Sequence, residues 1–155
     1  MIKDLKVGVK RKAKGWFLSF FREIFVYHNS SLEFRAKLLA AIIGSNKKIN
    51  LCEEGILEEV AKEIYPEDEV RVDVLINTTK EFVEKIIEKN GLDVNELILS
   101  INKDLKEVKR FHQKIDIPML ERFLTCNKDD KETYMTQVRI IEFLNKSIQD
   151  FNKLR

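Results

Sequence analysis

The stretch that decides the fold is SSLEFRAKLLAAIIGSNKKINLCEEGILEEVAKEIY, residues 30–65. It predicts two amphipathic helices joined by a short polar loop that carries lysines. Apolar residues recur at helical spacing from Phe34 to Ile42 in the first helix and from Ile56 to Ile64 in the second. Because the connection is short, we expect the two helices to be antiparallel neighbours, with the rest of the chain packed around them.

Capping patterns support both helix starts. Ser30 with Glu33, and Asn50 with Glu53, fit the arrangement in which a polar residue and a carboxylate three positions later satisfy free backbone donors. Pro66 lacks the backbone donor that a helix interior needs, so it ends the second helix.

Helical periodicity continues to the carboxyl end. The segment 67–77 is ambiguous, because its alternating valines fit a strand whereas its acidic start fits a helix N-terminus. We predict a short helix there, followed by a separate helix capped by Thr78 or Thr79. Further capped helices are predicted to begin at Asp93, Asp116 and Asp129. About seven or eight helices and no convincing strand result, so the predicted fold class is all-α, a single compact helical domain.

Length and composition fit one globular domain. The chain has 155 residues, of which 35% are charged and 44% hydrophobic, and can bury a sizeable core. It contains no uncharged apolar run of about 18 residues and no recognisable secretory signal. Cys52 and Cys126 are isolated, without a Cys-x-x-Cys pair or a Cys/His cluster. We therefore expect reduced thiols and a cytoplasmic location.

Charge divides the chain unevenly. Residues 1–15 hold six basic side chains and one acidic side chain, a net charge of +5. Residues 16–155 hold 22 basic and 25 acidic side chains, a net charge of −3. We divide the chain into residues 1–28, a basic arm with an aromatic amphipathic helix, and residues 29–155, the helical domain.

The aromatic face of residues 16–28 has several interpretations. It could dock on the domain core, lie on a membrane surface behind the polybasic arm, or enter the groove of a protein partner or a second copy of the chain. The acidic remainder of the chain disfavours nucleic acid. The candidate membrane or partner contacts are Lys10, Arg11, Lys12, Lys14, Trp16, Phe17, Phe20 and Phe21.

Two parts of the chain look alike, residues 38–64 and residues 119–148. Each reads as an apolar helix, a polar loop with Asn-Lys and a second amphipathic helix. This arrangement resembles the TerB-like family, which is associated by name with tellurite resistance and whose helical domain also occurs in a membrane-anchored DnaJ-like co-chaperone. The family pattern places Asp-Gly in the loop and Glu at the next helix start. Here those places are taken by Asn46-Lys47 with Glu53, and by Asn127-Lys128 with Glu132.

The resemblance implies a related all-helical fold, and some members of the family are thought to bind metal ions through acidic loop residues. An amide is a poorer cation ligand than a carboxylate, and a lysine repels cations, so we expect neither a metal nor another cofactor. The weak metal candidates are Asp129, Asp130 and Glu132, which more simply cap a helix.

No catalytic pattern is readable in the sequence. His28 and His112 are the only histidines, each on an apolar helical stripe and neither in a nucleophile–base arrangement. We therefore predict a non-enzymatic helical interaction module, stress-related by its resemblance and peripheral to the inner face of a membrane. The alternatives are a metal-responsive sensor that uses the polar loops and a self-associating structural protein, a homodimer.

Overall fold

The computed structural model describes residues 30–45, 49–87 and 93–154. Helices joined by short connections make up these ranges, which contain no strand, and this confirms the predicted all-α fold class. The α-helices are α1 (Ser30–Gly44), α2 (Leu51–Ile64), α3 (Glu69–Ile87), α4 (Val94–Glu107), α5 (Ile117–Glu121) and α6 (Lys131–Lys153). A first 3₁₀ helix covers Lys109–Lys114 and a second covers Arg122–Asn127.

Helix α1 is the centre of the core. Every residue from Leu38 to Gly44 is buried, and the helix packs against α3, α4, α6 and the first 3₁₀ helix. A helix buried on all sides differs from the single apolar face that the sequence predicts. The ring of Phe34 stacks on that of Phe111, with 4.6 Å between centroids, and so fixes the first 3₁₀ helix to α1.

The predicted pairing of the first two helices needs correction. The most extensive neighbour of α1 is α3, whereas α2 packs against α3 and the second 3₁₀ helix. Small residues on α1 allow α3 to come close. A Cβ added at Gly44 would lie only 2.7 Å from Ile86 Cδ1, so a larger residue there would require the end of the Ile86 side chain to shift.

Helix α3 is one continuous element of 19 residues where the sequence predicts two helices. The helix prediction for the valine-rich segment is confirmed, but the predicted caps at Thr78 and Thr79 are wrong. Both side chains are buried inside the helix. Thr79 Oγ1 donates a hydrogen bond to Leu75 O at 2.7 Å, which satisfies the hydroxyl within the helix instead of at its start.

Most of the predicted helix starts agree with the structure. Asn50 and Glu53 form the reciprocal capping box of α2, and the side chains of Asp93 and Asp116 cap α4 and α5. The predicted cap at Asp129 with Glu132 is wrong by one residue. Asp130 caps α6 instead, and its carboxylate accepts from Thr133 N at 3.2 Å and from Thr133 Oγ1 at 2.7 Å.

The cysteines are not free thiols. Cys52 and Cys126 form a disulfide across 74 positions of sequence, with their Cα atoms 5.6 Å apart. The expectation of two reduced thiols is therefore wrong. It failed because sequence spacing does not reveal that the first turn of α2 lies beside the second 3₁₀ helix.

Candidate functional site

Three polar side chains are buried beside the disulfide, and we call them the Glu53 cluster. Its members are Glu53, Asn127 and Gln137, of which Asn127 is 4% exposed and the others fully buried. They come from the first turn of α2, the second 3₁₀ helix and α6. The cluster therefore joins α2 to two consecutive elements that are distant from it in sequence.

Hydrogen bonds connect the Glu53 cluster internally and to α1. Glu53 Oε2 accepts from Asn127 Nδ2 at 3.2 Å and from Gln137 Nε2 at 3.3 Å. Gln137 Nε2 also donates to Ile42 O at 3.0 Å, near the end of α1. Asn50 Nδ2 donates to Asn127 Oδ1 at 3.3 Å. The amides thus bring donors to a carboxylate that would be costly to bury without them.

Asn127 is the residue that stands at an Asp position of the TerB-like pattern. In the structure it faces inward, and its side chain donates to Glu53 Oε2 and to Gln137 Oε1, each at 3.2 Å. The sequence predicts that Asn50 and Glu53 cap a helix, which is correct, but it does not predict that both side chains also bond to Asn127. The contact with Asn127 and Gln137 has no local sequence signal.

Truncating Glu53 to alanine should lower the free energy of unfolding by at least about 1–3 kcal/mol, because it leaves buried amide donors without their acceptor. The matched control is Glu58→Ala, which removes an exposed carboxylate from the same helix and should change stability by less than about 0.5 kcal/mol. Urea denaturation followed by circular dichroism measures both. Equally small losses of stability in the two variants would show that the Glu53 cluster does not stabilise the packing of these helices.

The metal candidates named from the sequence are either exposed or used to cap a helix. Asp129 and Glu132 are exposed, and Asp130 caps α6. Within the described ranges, no group of three or more His, Cys, Asp or Glu side chains is arranged to hold a metal ion. The first Asn-Lys pair, Asn46-Lys47, lies outside the described residues, as do all the candidate contacts of residues 1–28.

His112 links the first 3₁₀ helix to the end of α6. Its ring stacks on Phe151 with centroids 4.0 Å apart, and its Nδ1 lies 2.9 Å from Lys109 O. It is half-buried and does not continue the buried stripe of α4 as the sequence suggests. His28 falls outside the described residues.

A cleft of about 250 Å³ opens between α1, α2, α5 and the end of the first 3₁₀ helix. Its floor is apolar and its rim is charged. The lining side chains are Arg35, Leu38, Leu39, Glu63, Ile64, Gln113, Lys114, Asp116, Met119 and Leu120. An apolar floor with a few convergent polar groups is typical of a small-molecule site.

Both carboxylates on the rim of the cleft are engaged by the protein. Glu63 Oε2 accepts from Arg122 Nη1 at 2.6 Å, and this hydrogen bond is the largest cause of the raised pKa of Arg122. Asp116 Oδ1 accepts from the Met119 amide at 3.2 Å and caps α5.

The two cations that line the cleft, Arg35 and Lys114, have different contacts from its carboxylates. Arg35 Nη1 donates to the Tyr65 hydroxyl at 3.2 Å, and the Arg35 guanidinium lies over the Tyr65 ring. Among the described residues, neither Arg35 nor Lys114 forms a salt bridge with a carboxylate. The lining thus combines two cations, Arg35 and Lys114, with two carboxylates, Glu63 and Asp116.

None of the helices in the described ranges combines the length and apolarity needed to cross a membrane. Comparison of the chain with protein-family models, curated proteins and solved structures finds no significant match. The TerB-like resemblance accordingly stays a prediction from the sequence.

Proposed function

We propose that this chain is a non-enzymatic helical interaction module that attaches to an anionic membrane surface through residues 1–28. The observation that carries the proposal is the division of charge, +5 in residues 1–15 against −3 in the remainder. Each basic residue near an anionic surface contributes about 1 kcal/mol, and the attraction weakens with salt.

The core of the described helices supports the proposal that the helical unit folds by itself while residues 1–28 bind the membrane. Their buried apolar side chains form one contiguous cluster with members from α1 to α6. A folded unit with its own core can present a basic segment to a surface. The aromatic residues, with Trp16 and Phe17 first in the chain, add the apolar signal that stable attachment needs beside charge.

Reversing the charge of the basic arm tests this proposal. Changing Lys10, Arg11, Lys12 and Lys14 to glutamate should abolish sedimentation with phosphatidylserine vesicles at low salt while leaving the melting temperature nearly unchanged. The cause is the loss of attraction between the arm and the anionic lipid.

The control carries the same change in net charge at four exposed positions of the helical unit: Lys106, Lys131, Lys146 and Lys153. It should still bind the vesicles. Wild-type protein that ignores anionic vesicles at low salt would contradict the proposal, as would equal loss of binding in both variants.

The location that we propose is the inner face of a membrane, with a protein partner of unknown identity and a link to stress that rests on the resemblance alone. The inner face of a membrane borders a reducing compartment, which keeps most thiols reduced. At that location the Cys52–Cys126 disulfide would therefore be transient. Self-association through the aromatic segment is the alternative. Light scattering with and without residues 1–28 distinguishes the two.

A second candidate function is the binding of a small amphipathic anion in the cleft. Arg35 and Lys114 would hold its carboxylate, and the apolar floor formed by Leu38, Leu39 and Leu120 would take its tail. A cleft of about 250 Å³ suits a short-chain or aromatic acid better than a long lipid. The specific observation in its favour is that the rim carboxylates are already bonded, while the two cations form no salt bridge with any carboxylate of the described residues.

Titration with octanoate tests the cleft. Replacing Arg35 by glutamine should weaken binding about tenfold or more, because a hydrogen bond to a charged group is worth about 1.5–3 kcal/mol. The matched control is Arg71→Gln, since Arg71 also lies over the Tyr65 ring but does not line this cleft. Calorimetry that detects no binding at millimolar octanoate, or equal loss in both variants, would contradict the assignment.

A further inference from the structure

We propose that the Cys52–Cys126 disulfide is a site of thiol–disulfide exchange, at which a dithiol reductant controls the opening of the Glu53 cluster. The inference is independent of the membrane and cleft proposals. It assigns to this bond a reversible chemical role in addition to its role as a cross-link.

Both cysteines of the bond are at least partly exposed in the folded protein. Cys52 is exposed in the first turn of α2, and Cys126 is only half-buried near the end of the second 3₁₀ helix. Exchange requires a thiolate to reach one of the two sulfurs, so buried bonds react only when the protein opens, whereas exposed bonds are the labile ones. A reagent in solution can therefore reach this bond without global unfolding.

The bond is also directly connected to the Glu53 cluster. Cys52 precedes Glu53 in the chain, Cys126 precedes Asn127, and Asn127 Nδ2 donates to Glu53 Oε2 at 3.2 Å. Closing or opening the disulfide thus acts on the two neighbouring residues that hold α2 and the second 3₁₀ helix together.

After reduction, fewer links join these two elements. Arg122 pairs with Glu59 at 2.8 Å and with Glu63 at 2.6 Å, but all three side chains are substantially exposed, and exposed pairs contribute little. The hydrogen bonds of the cluster and the burial of Phe123 remain. We expect the second 3₁₀ helix to open locally more often while the rest of the core stays folded.

The dithiol supplies the electrons and protons that the exchange reaction needs. A thiolate of the dithiol attacks one sulfur of the Cys52–Cys126 bond, the bond breaks, and the displaced cysteine leaves as a thiolate that takes a proton. The second thiol of the reagent then displaces the mixed disulfide and closes a cyclic disulfide. Two electrons and two protons pass from the dithiol to the protein, which gains two thiols.

The first experiment measures how fast dithiothreitol reduces the wild-type protein at low urea concentrations. We expect a rate that is proportional to dithiothreitol and independent of urea below the unfolding transition, since the folded state reacts directly. A reduction rate that rises with urea, and that levels off at the unfolding rate as dithiothreitol is increased, would overturn the proposal. The bond would then react only when the whole protein unfolds.

The second experiment compares hydrogen exchange in the oxidised and reduced proteins by mass spectrometry. At short exposure times, before amides exchange through global unfolding, reduction should speed exchange at least tenfold in residues 122–130 and in the first turn of α2, while residues 97–105 of α4 stay protected in both forms. A double variant, Cys52→Ser with Cys126→Ser, should show the reduced pattern with or without dithiothreitol. Unchanged exchange after reduction, or an increase spread evenly over all helices, would overturn the proposal.

Discussion

Replacing both Cys52 and Cys126 by serine is expected to lower the free energy of unfolding by about 4 kcal/mol. The bond closes a loop across 74 positions of sequence, and a cross-link over so long a loop strongly restricts the unfolded chain. Because typical domains are stable by about 5–15 kcal/mol, we expect the double variant to fold with a much lower denaturation midpoint. Urea denaturation under non-reducing conditions measures the difference.

Reduced wild-type protein is the control for this first prediction. Dithiothreitol should lower its stability by a similar amount, and it should leave the double variant unchanged. If the double variant loses less than about 1 kcal/mol, the bond is not a main determinant of stability and the loop-entropy argument fails for this chain.

Truncation of Leu57 to alanine is the second large effect, with an expected loss of about 2–5 kcal/mol. Leu57 is fully buried in α2, so the smaller side chain loses apolar burial and leaves a cavity. Ile141→Ala in α6 should behave alike, because Ile141 is also buried. Thermal unfolding followed by circular dichroism gives the loss.

The matched control for Leu57 is Leu99→Ala in α4, the same substitution at a side chain that is 67% exposed. It should change stability by less than about 0.5 kcal/mol. A melting temperature that is the same for Leu57→Ala and for wild type would mean that the apolar stripe of α2 faces water.

Local signals in the sequence predict most of the helical architecture. Caps such as Asn50 and Asp93 act within three residues, so their chemistry is visible in a short window. The same signal is ambiguous where acidic residues are adjacent, so it predicts a cap at Asp129 where Asp130 caps the helix. Thr79 shows a related limit, since a threonine can cap a helix or bond within one, and the sequence does not say which.

Burial of α1 on all sides could not be read from its sequence because charged residues interrupt the apolar pattern. Lys37 pairs with Asp104 at 2.7 Å, and Arg35 bonds to Tyr65, so both cations are half-buried with partners from other helices. Tertiary contacts of this kind override a simple division into apolar and polar faces. Periodicity alone therefore predicts a central helix with one apolar face, whereas the structure buries every residue from Leu38 to Gly44.

The sites depend on contacts over long distances in sequence, and this is why sequence reasoning missed them. The disulfide, the Glu53 cluster and the cleft each join elements whose proximity appears only after folding. The contacts predicted for residues 1–28 stay predictions, since that segment lies outside the described residues.

A disulfide and a buried polar cluster together join α2 to the second 3₁₀ helix. Peptide mapping, by mass spectrometry, of protein purified without reductant tests whether this disulfide forms. We predict that the peptides containing Cys52 and Cys126 are found covalently linked, and that the denatured protein has no free thiol. Two free thiols per chain, with the two peptides recovered separately, would contradict the claim.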